Sequence, residues 1–332
     1  MMVETNRIIE KRITSKILYR DMQLALGTMG DRLGEMARSA KGQMREDLSD
    51  VLCFGGKRLR PTLAFMCYRM GGSRETDVLP LMCMLELMHT ASLIHDDVVD
   101  SAGMRRGKPT INFRKGDFAA VQSGDFLLAK AMELLYVFKG TGINEMLADV
   151  SYNMTIGELA QQAMRNRPDL QSVVSYFDLI YKKTALLFAA SCWCGAIAGG
   201  MREEDAQCLF HYGEKLGLAF QLRDDLIDYS DESGKFPGQD VRNGVFTLPL
   251  LMLMERRDTP LTVRELLTKK DKTADEISLL IEFVKDSDAL GQTEAAVREK
   301  SSEAVNELER FTECPEKKGL SDLASSLSKR VF

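Results

Sequence analysis

Residues 78–100 read VLPLMCMLELMHTASLIHDDVVD, and their pattern decides the fold. From Val78 to Ile94 nearly every position is apolar, Glu86 is the main interruption, and no alternation of period two marks a strand. Such a run, free of internal glycine and opened by a proline, predicts a helix buried on all sides. It ends on Asp96, Asp97 and Asp100, and Arg105 and Arg106 follow within six residues of the last.

The same logic extends along the chain. Its 332 residues contain only eight prolines, and the long stretches between them space apolar residues three and four apart. Segments 20–48, 77–100, 117–137, 143–165, 172–199, 203–229, 274–287 and 290–312 are read as helical, which predicts an all-α protein with ten or more helices. Thr184 to Ile197 is apolar all round, like 78–94, and belongs at the centre; 290–312 carries a charged face and belongs outside. No linker-like stretch divides the chain, so residues 1–332 are read as a single domain.

Composition excludes several classes. A net charge of -5 argues against broad electrostatic adhesion to nucleic acid or anionic lipid, so any anion site is local. The most apolar stretch is too short and too interrupted to span a bilayer. The seven cysteines are scattered, without a CxxC zinc pattern, and read as reduced thiols of a cytoplasmic protein.

The aspartate triplet has a twin. Asp224, Asp225 and Asp228, in FQLRDDLIDYS, repeat the DDxxD spacing at the end of a second apolar helix. On a helix, positions i and i+4 share a face, so each triplet can aim two carboxylates at one point. Helix C-termini already carry partial negative charge, which makes this placement unfavourable without cations. Hard oxygen ligands without thiolates select Mg²⁺, which usually completes its shell with water and substrate phosphate. One acidic triplet alone is ordinary solvated surface; two at identical spacing, each followed by a basic loop, are not.

Basic residues cluster nearby. FGGKRLRP, residues 54–61, places Lys57, Arg58 and Arg60 after two glycines that let backbone approach an anion; it lacks P-loop spacing and equally suits a solvated turn. Arg105 and Arg106 suit either counter-charge for Asp96–Asp100 or a ligand. Lys183 and Thr184 enter a very apolar run, which makes Lys183 a better candidate than Lys182, and Lys235 stands beside the second triplet. His89 reads as a hydrogen-bonded core residue, or, with Glu86, as half of a di-iron motif. That second reading requires the motif on two helices, and neither His95 nor His211 has a glutamate three residues before it.

Together, GGKRLRP (55–61), MHTASLIHDDVVDSAGMRRGKPT (88–110), GDFLLAKA (124–131), GELAQQ (157–162), KKTALLFAAS (182–191), FQLRDDLIDY (220–229) and GKFPGQDVRNGVFTLPLL (234–251) resemble the trans-isoprenyl diphosphate synthases. The resemblance implies an isoprenoid-synthase helical bundle whose two DDxxD motifs face each other across a central cavity, usually in a homodimer, with heteromers known. It implies a prenyltransferase that condenses an allylic diphosphate with successive isopentenyl diphosphates.

By the same resemblance, Asp96, Asp100 and Asp224 hold Mg²⁺, three ions per site, with Asp97, Asp225 and Asp228 around them. Arg105, Lys183, Thr184, Gln221 and Lys235 contact the allylic diphosphate, and Lys57, Arg60, His89 and Arg106 hold isopentenyl diphosphate. Val245 stands where many relatives carry a lysine. Ala91 and Ser92, about one turn before Asp96, are small where short-chain members have aromatics, and Met88 lies below them. An open tunnel and a C30–C50 product of the quinone side-chain type are expected, with geranylgeranyl or farnesyl diphosphate as the shorter alternatives. Terpene cyclases usually lack GGKRLRP and a complete second DDxxD, and catalytically quiet synthase subunits generally lose aspartates; all six are present here.

Overall fold

The computed structural model describes residues 16–53, 56–73, 75–229, 238–256 and 258–329. Its elements are α1 (Lys16–Ser39), α2 (Gln43–Cys53), α3 (Leu59–Gly71), α4 (Leu79–Val99), β1 (Met104–Arg105), β2 (Lys108–Pro109), α5 (Ile111–Lys115), α6 (Asp117–Leu135), α7 (Ile143–Met164) and α8 (Val173–Ile180). A π-helical turn (Tyr181–Ala185) leads into α9 (Leu186–Ala198). There follow α10 (Glu203–Ile227), α11 (Gln239–Arg242), α12 (Leu248–Glu255), α13 (Leu261–Thr268), α14 (Ala274–Asp286), α15 (Ala289–Glu307) and α16 (Pro315–Leu327). The all-α expectation holds.

The two helices expected at the centre are there. In α4, Pro80 through Met88 are buried without a break, and in α9 only Ile197 is not fully buried. α4 packs along α6, α9 lies between α3 and α10, and α10 also supports α15. Small residues set the closest crossing: a Cβ on Gly195 would stand 2.3 Å from Ala64 O, so α9 touches the α3 backbone where no side chain fits. A second apolar cluster, including Leu222, Leu226, Phe246 and Leu251, lies under α12 and α14, and Tyr181 packs against both clusters.

Three expectations are corrected. The helix read over 20–48 breaks after Ser39, where Gly42 takes φ +59° and α2 starts anew. Residues 172–199 are interrupted by the π turn, which inserts one extra residue per turn at Lys182–Lys183. The basic loop that follows the first triplet, residues 101–116, contains a hairpin, with Met104 opposite Pro109, and the short helix α5. Its two turn residues, Arg106 at φ +52° and Gly107 at +77°, are left-handed as a tight hairpin requires.

Candidate active site

Residues at the C-terminal ends of α4 and α10 line one cavity of about 600 Å³. Asp96 enters from α4, Asp224 and Asp225 from α10, and Asp240 from α11. The same lining holds Lys57 just before α3 and Arg60 in its first turn, Arg105 and Arg106 from the hairpin, and Lys183 and Thr184 from the π turn. His89, Ser92 and Gln221 complete the predicted lining. Lys235 lies outside the described residues.

Electrostatics in this recess are unbalanced. Burial raises Asp96 to about 6, with Lys183 opposing, and raises Asp224 to about 6 even though its side chain opens onto the cavity. Asp225 rises to about 7, again mainly by burial, although Tyr176 Oη donates to its Oδ2 and Gln221 Nε2 to its Oδ1 at 2.9 Å. Asp240 rises to about 8 through burial and the charges of Asp228, Asp225 and Asp100. Among the described residues no ion pair neutralises Asp96, Asp224, Asp225 or Asp240, so their charge calls for a cation from outside.

The opposite wall has the complementary deficit. Burial lowers Arg60 to about 10, its Nε has no hydrogen-bond partner, and its guanidinium lies over the Phe188 ring at 4.7 Å. Lys57 lies over Phe220 at 5.6 Å. Burial, then Arg60, Arg106 and Arg105, hold His89 well below its ordinary range, which keeps the ring neutral. Cations such as Arg60 and Lys57 in the same recess as carboxylates without ion-pair partners fit a diphosphate carried with divalent metal. No three Asp, Glu, His or Cys groups among the described residues can enclose an ion alone, which suits a cation that borrows water and phosphate oxygens.

Not every predicted residue faces the cavity. Arg105 Nε bonds Asp97 Oδ1 at 2.6 Å, and Asp97 lines a neighbouring cavity of about 460 Å³ that shares Arg105, Arg106, Glu86 and Leu93 with the first. Arg165 Nη2 bonds Asp100 Oδ1 at 2.5 Å, outside the cavity lining. Asp228 binds the following loop instead, accepting from Asp240 N at 3.3 Å on its carboxylate and from Gly238 N at 3.1 Å on its backbone carbonyl. Glu86 pairs with Arg58. Ser92 lines the cavity, whereas Ala91 is fully buried and Met88 is buried, and neither is part of the lining.

Sequence reading missed several contributors. Lys183 Nζ meets Glu158 Oε2 at 2.5 Å and Gln161 Oε1 at 3.0 Å, while Lys182 pairs outward with Asp178. Thr184 donates to Gln221 Oε1 at 2.8 Å. Glu158 and Gln161 lie three apart in GELAQQ and share a face of α7, which is a readable signal. Asp240 stands within the quoted GKFPGQDVRNGVFTLPLL, whereas Tyr176 and Arg165 carried no signal.

Helices that converge their C-terminal carboxylates on a cationic wall define a protein that handles anionic, metal-bound substrates. The comparisons narrow this class. Residues 43–284 match the family described as polyprenyl synthetase. Heptaprenyl diphosphate synthase component 2 of Geobacillus stearothermophilus is 30% identical over 320 residues, 96% of this chain and 99% of the relative. Among solved structures, a decaprenyl diphosphate synthase from Rhodobacter capsulatus superposes with a TM-score of 0.87 at 30% identity, covering 95% of this chain and 98% of its own. A polyprenyl synthase from Caulobacter crescentus, complexed with calcium and isoprenyl diphosphate, gives 0.88 at 31% identity, covering 94% and 97%.

The chain belongs to the polyprenyl synthetase family. It is a prenyltransferase of the polyprenyl diphosphate synthase type, with the all-α isoprenoid-synthase fold. Among the described residues no helix is long and apolar enough to cross a membrane.

Proposed function

We propose that the chain extends an allylic diphosphate by successive isopentenyl units to an all-trans polyprenyl diphosphate of C30–C50, with Mg²⁺ in the carboxylate half of the cavity. The observation that carries this reading is the single cavity with Asp96, Asp224, Asp225 and Asp240 opposite Lys57, Arg60, Arg105, Arg106 and Lys183. Asp96 and Asp224, with Asp100 once freed from Arg165, would hold the ions, three per site. Bound Mg²⁺ supplies charge neutralisation that makes diphosphate a better leaving group.

The chain's own groups do the rest. Lys183 and Arg105, with Thr184, Gln221 and Lys235, hold the allylic diphosphate, while Lys57, Arg60 and Arg106 fix isopentenyl diphosphate, with neutral His89 as a hydrogen-bonding partner. The allylic C–O bond breaks, the isopentenyl double bond supplies the electron pair of the new C–C bond, and one proton leaves to the released pyrophosphate. No protein nucleophile is required. Held cations at fixed positions oppose the charge that develops on the leaving group.

Ser92 is the chain-length residue that faces the growing product, with Ala91 and Met88 in the wall behind it. Residues 1–332 act as one domain. A homodimer is part of the reading, supported by exposed Phe118, Met132, Tyr152 and Leu159 on α6 and α7. Cys67, Cys83, Cys192, Cys194, Cys208 and Cys314 are free thiols, which supports a cytoplasmic setting. The likeness to a component 2 protein favours one second reading, a catalytic subunit that needs a partner.

Incubating the purified chain with Mg²⁺, an allylic primer and labelled isopentenyl diphosphate tests all of this. C30–C50 products support it, C15 alone contradicts the length, and activity only on adding a partner selects the second reading.

A further inference from the structure

Arg165 caps the C-terminus of α7, where its backbone N–H bonds Gln161 O at 2.9 Å. The next residue, Asn166, turns left-handed at φ +57° and donates its N–H to Gly244 O at 3.0 Å, pinning this corner to the loop before α12. The arginine is therefore fixed in place by backbone on both sides. Its Nη2 bonds Asp100 Oδ1 at 2.5 Å, while its buried Nε has no partner.

Asp96 and Asp100 are four apart and belong on one face of α4, yet only Asp96 reaches the cavity. We propose that Arg165 is a positioning residue, a cationic latch that holds Asp100 out of the cavity until a divalent cation displaces the guanidinium. The exchange trades the guanidinium hydrogen bond of the carboxylate for coordination to the cation, with no covalent bond made or broken. A guanidinium with one N–H already unsatisfied is a displaceable partner, because its pairing is incomplete. The latch would set a threshold of metal concentration below which the first aspartate cluster stays half assembled. The inference rests on the reading that Asp100 is a metal ligand.

The test is Mn²⁺ binding to the full-length protein without substrate, followed by electron paramagnetic resonance. Arg165→Met is expected to bind Mn²⁺ about five- to tenfold more tightly, the weight of one charge-assisted hydrogen bond at a partly exposed position. Arg165→Lys, which keeps the charge but not the planar fork, should fall between, and circular dichroism checks that each variant is folded. In an Asp100→Asn background, Arg165→Met should change nothing. Unchanged or weaker Mn²⁺ binding by folded Arg165→Met overturns the latch. If Arg165→Met does not fold, Arg165→Lys decides alone, and affinity equal to or below that of the unsubstituted protein overturns it. If Asp100→Asn by itself leaves Mn²⁺ affinity intact, Asp100 is not a ligand, and the metal assignment fails together with the latch.

Discussion

Lys183 and Glu158 form an ion pair, Nζ to Oε2 at 2.5 Å, that ties the π turn to α7 and holds the lysine at the cavity wall. Gly157 makes this approach possible, since a Cβ there would stand 3.0 Å from Lys183 Cγ. The neighbouring Lys182 faces out to Asp178. Lys183→Met should lower kcat/KM for the allylic substrate roughly 10- to 100-fold, the weight of one hydrogen bond to a charged group. Lys182→Met should stay within about twofold. Equal losses in the two variants would show that the π turn does not sort these lysines.

The proposed metal site makes metal binding depend on pH through the raised carboxylates. Asp96 and Asp224 near 6, Asp225 near 7 and Asp240 near 8 all hold protons more firmly folded than unfolded. Their contribution therefore favours the folded state below about pH 4 and is lost as pH rises through about 6 to 8. On the proposed assignment, Mg²⁺ displaces the protons of Asp96 and Asp224, so its stabilising effect grows with pH. The gain in Tm on replacing EDTA with Mg²⁺ should be larger at pH 8 than at pH 6. A gain independent of pH contradicts the assignment.

Of the two small residues proposed to set product length, Ser92 lines the cavity and Ala91 is fully buried in the core. Ser92→Phe should shorten the product while the protein keeps its thermal stability within a few degrees. Ala91→Phe overpacks the core, at a cost of roughly 1–3 kcal/mol, and should lower Tm. Chromatography of the dephosphorylated products checks the first expectation; an unchanged length distribution in Ser92→Phe sets the floor elsewhere.

Much of this was legible in residues 78–100, where an apolar run ending in DDxxD reads as a central helix with its charges at one end, and in 220–229, which repeat the triplet at the end of a second helix. What spacing could not tell is which aspartate faces the cavity. That depends on partners distant in sequence: Arg165, 65 residues from Asp100, and Tyr176, 49 residues from Asp225. Asp240 escaped notice because it becomes part of the site only when the chain folds back on Asp228. The π turn was invisible for a similar reason, since one inserted residue leaves the apolar periodicity of 172–199 nearly unchanged.

Gly195→Ala tests the central packing. The added methyl would fall 2.3 Å from Ala64 O and 2.8 Å from Ala64 Cα, which backbone cannot yield without separating α3 from α9. The better helix propensity of alanine, up to about 1 kcal/mol, is outweighed by a strain of about 1–3 kcal/mol or more. Urea denaturation should show a lower midpoint. A higher midpoint would mean that the two helices can part without loss.

The central claim is that the carboxylates of α4 and α10 act together, through metal, on one diphosphate. Calorimetric titration with geranyl diphosphate, without isopentenyl diphosphate, tests it most directly. Binding should be strong in Mg²⁺, fall at least about tenfold in EDTA, and fall comparably in Mg²⁺ for both Asp96→Asn and Asp224→Asn. Affinity unchanged by EDTA, or lost on substituting only one of the two aspartates, would contradict a shared site.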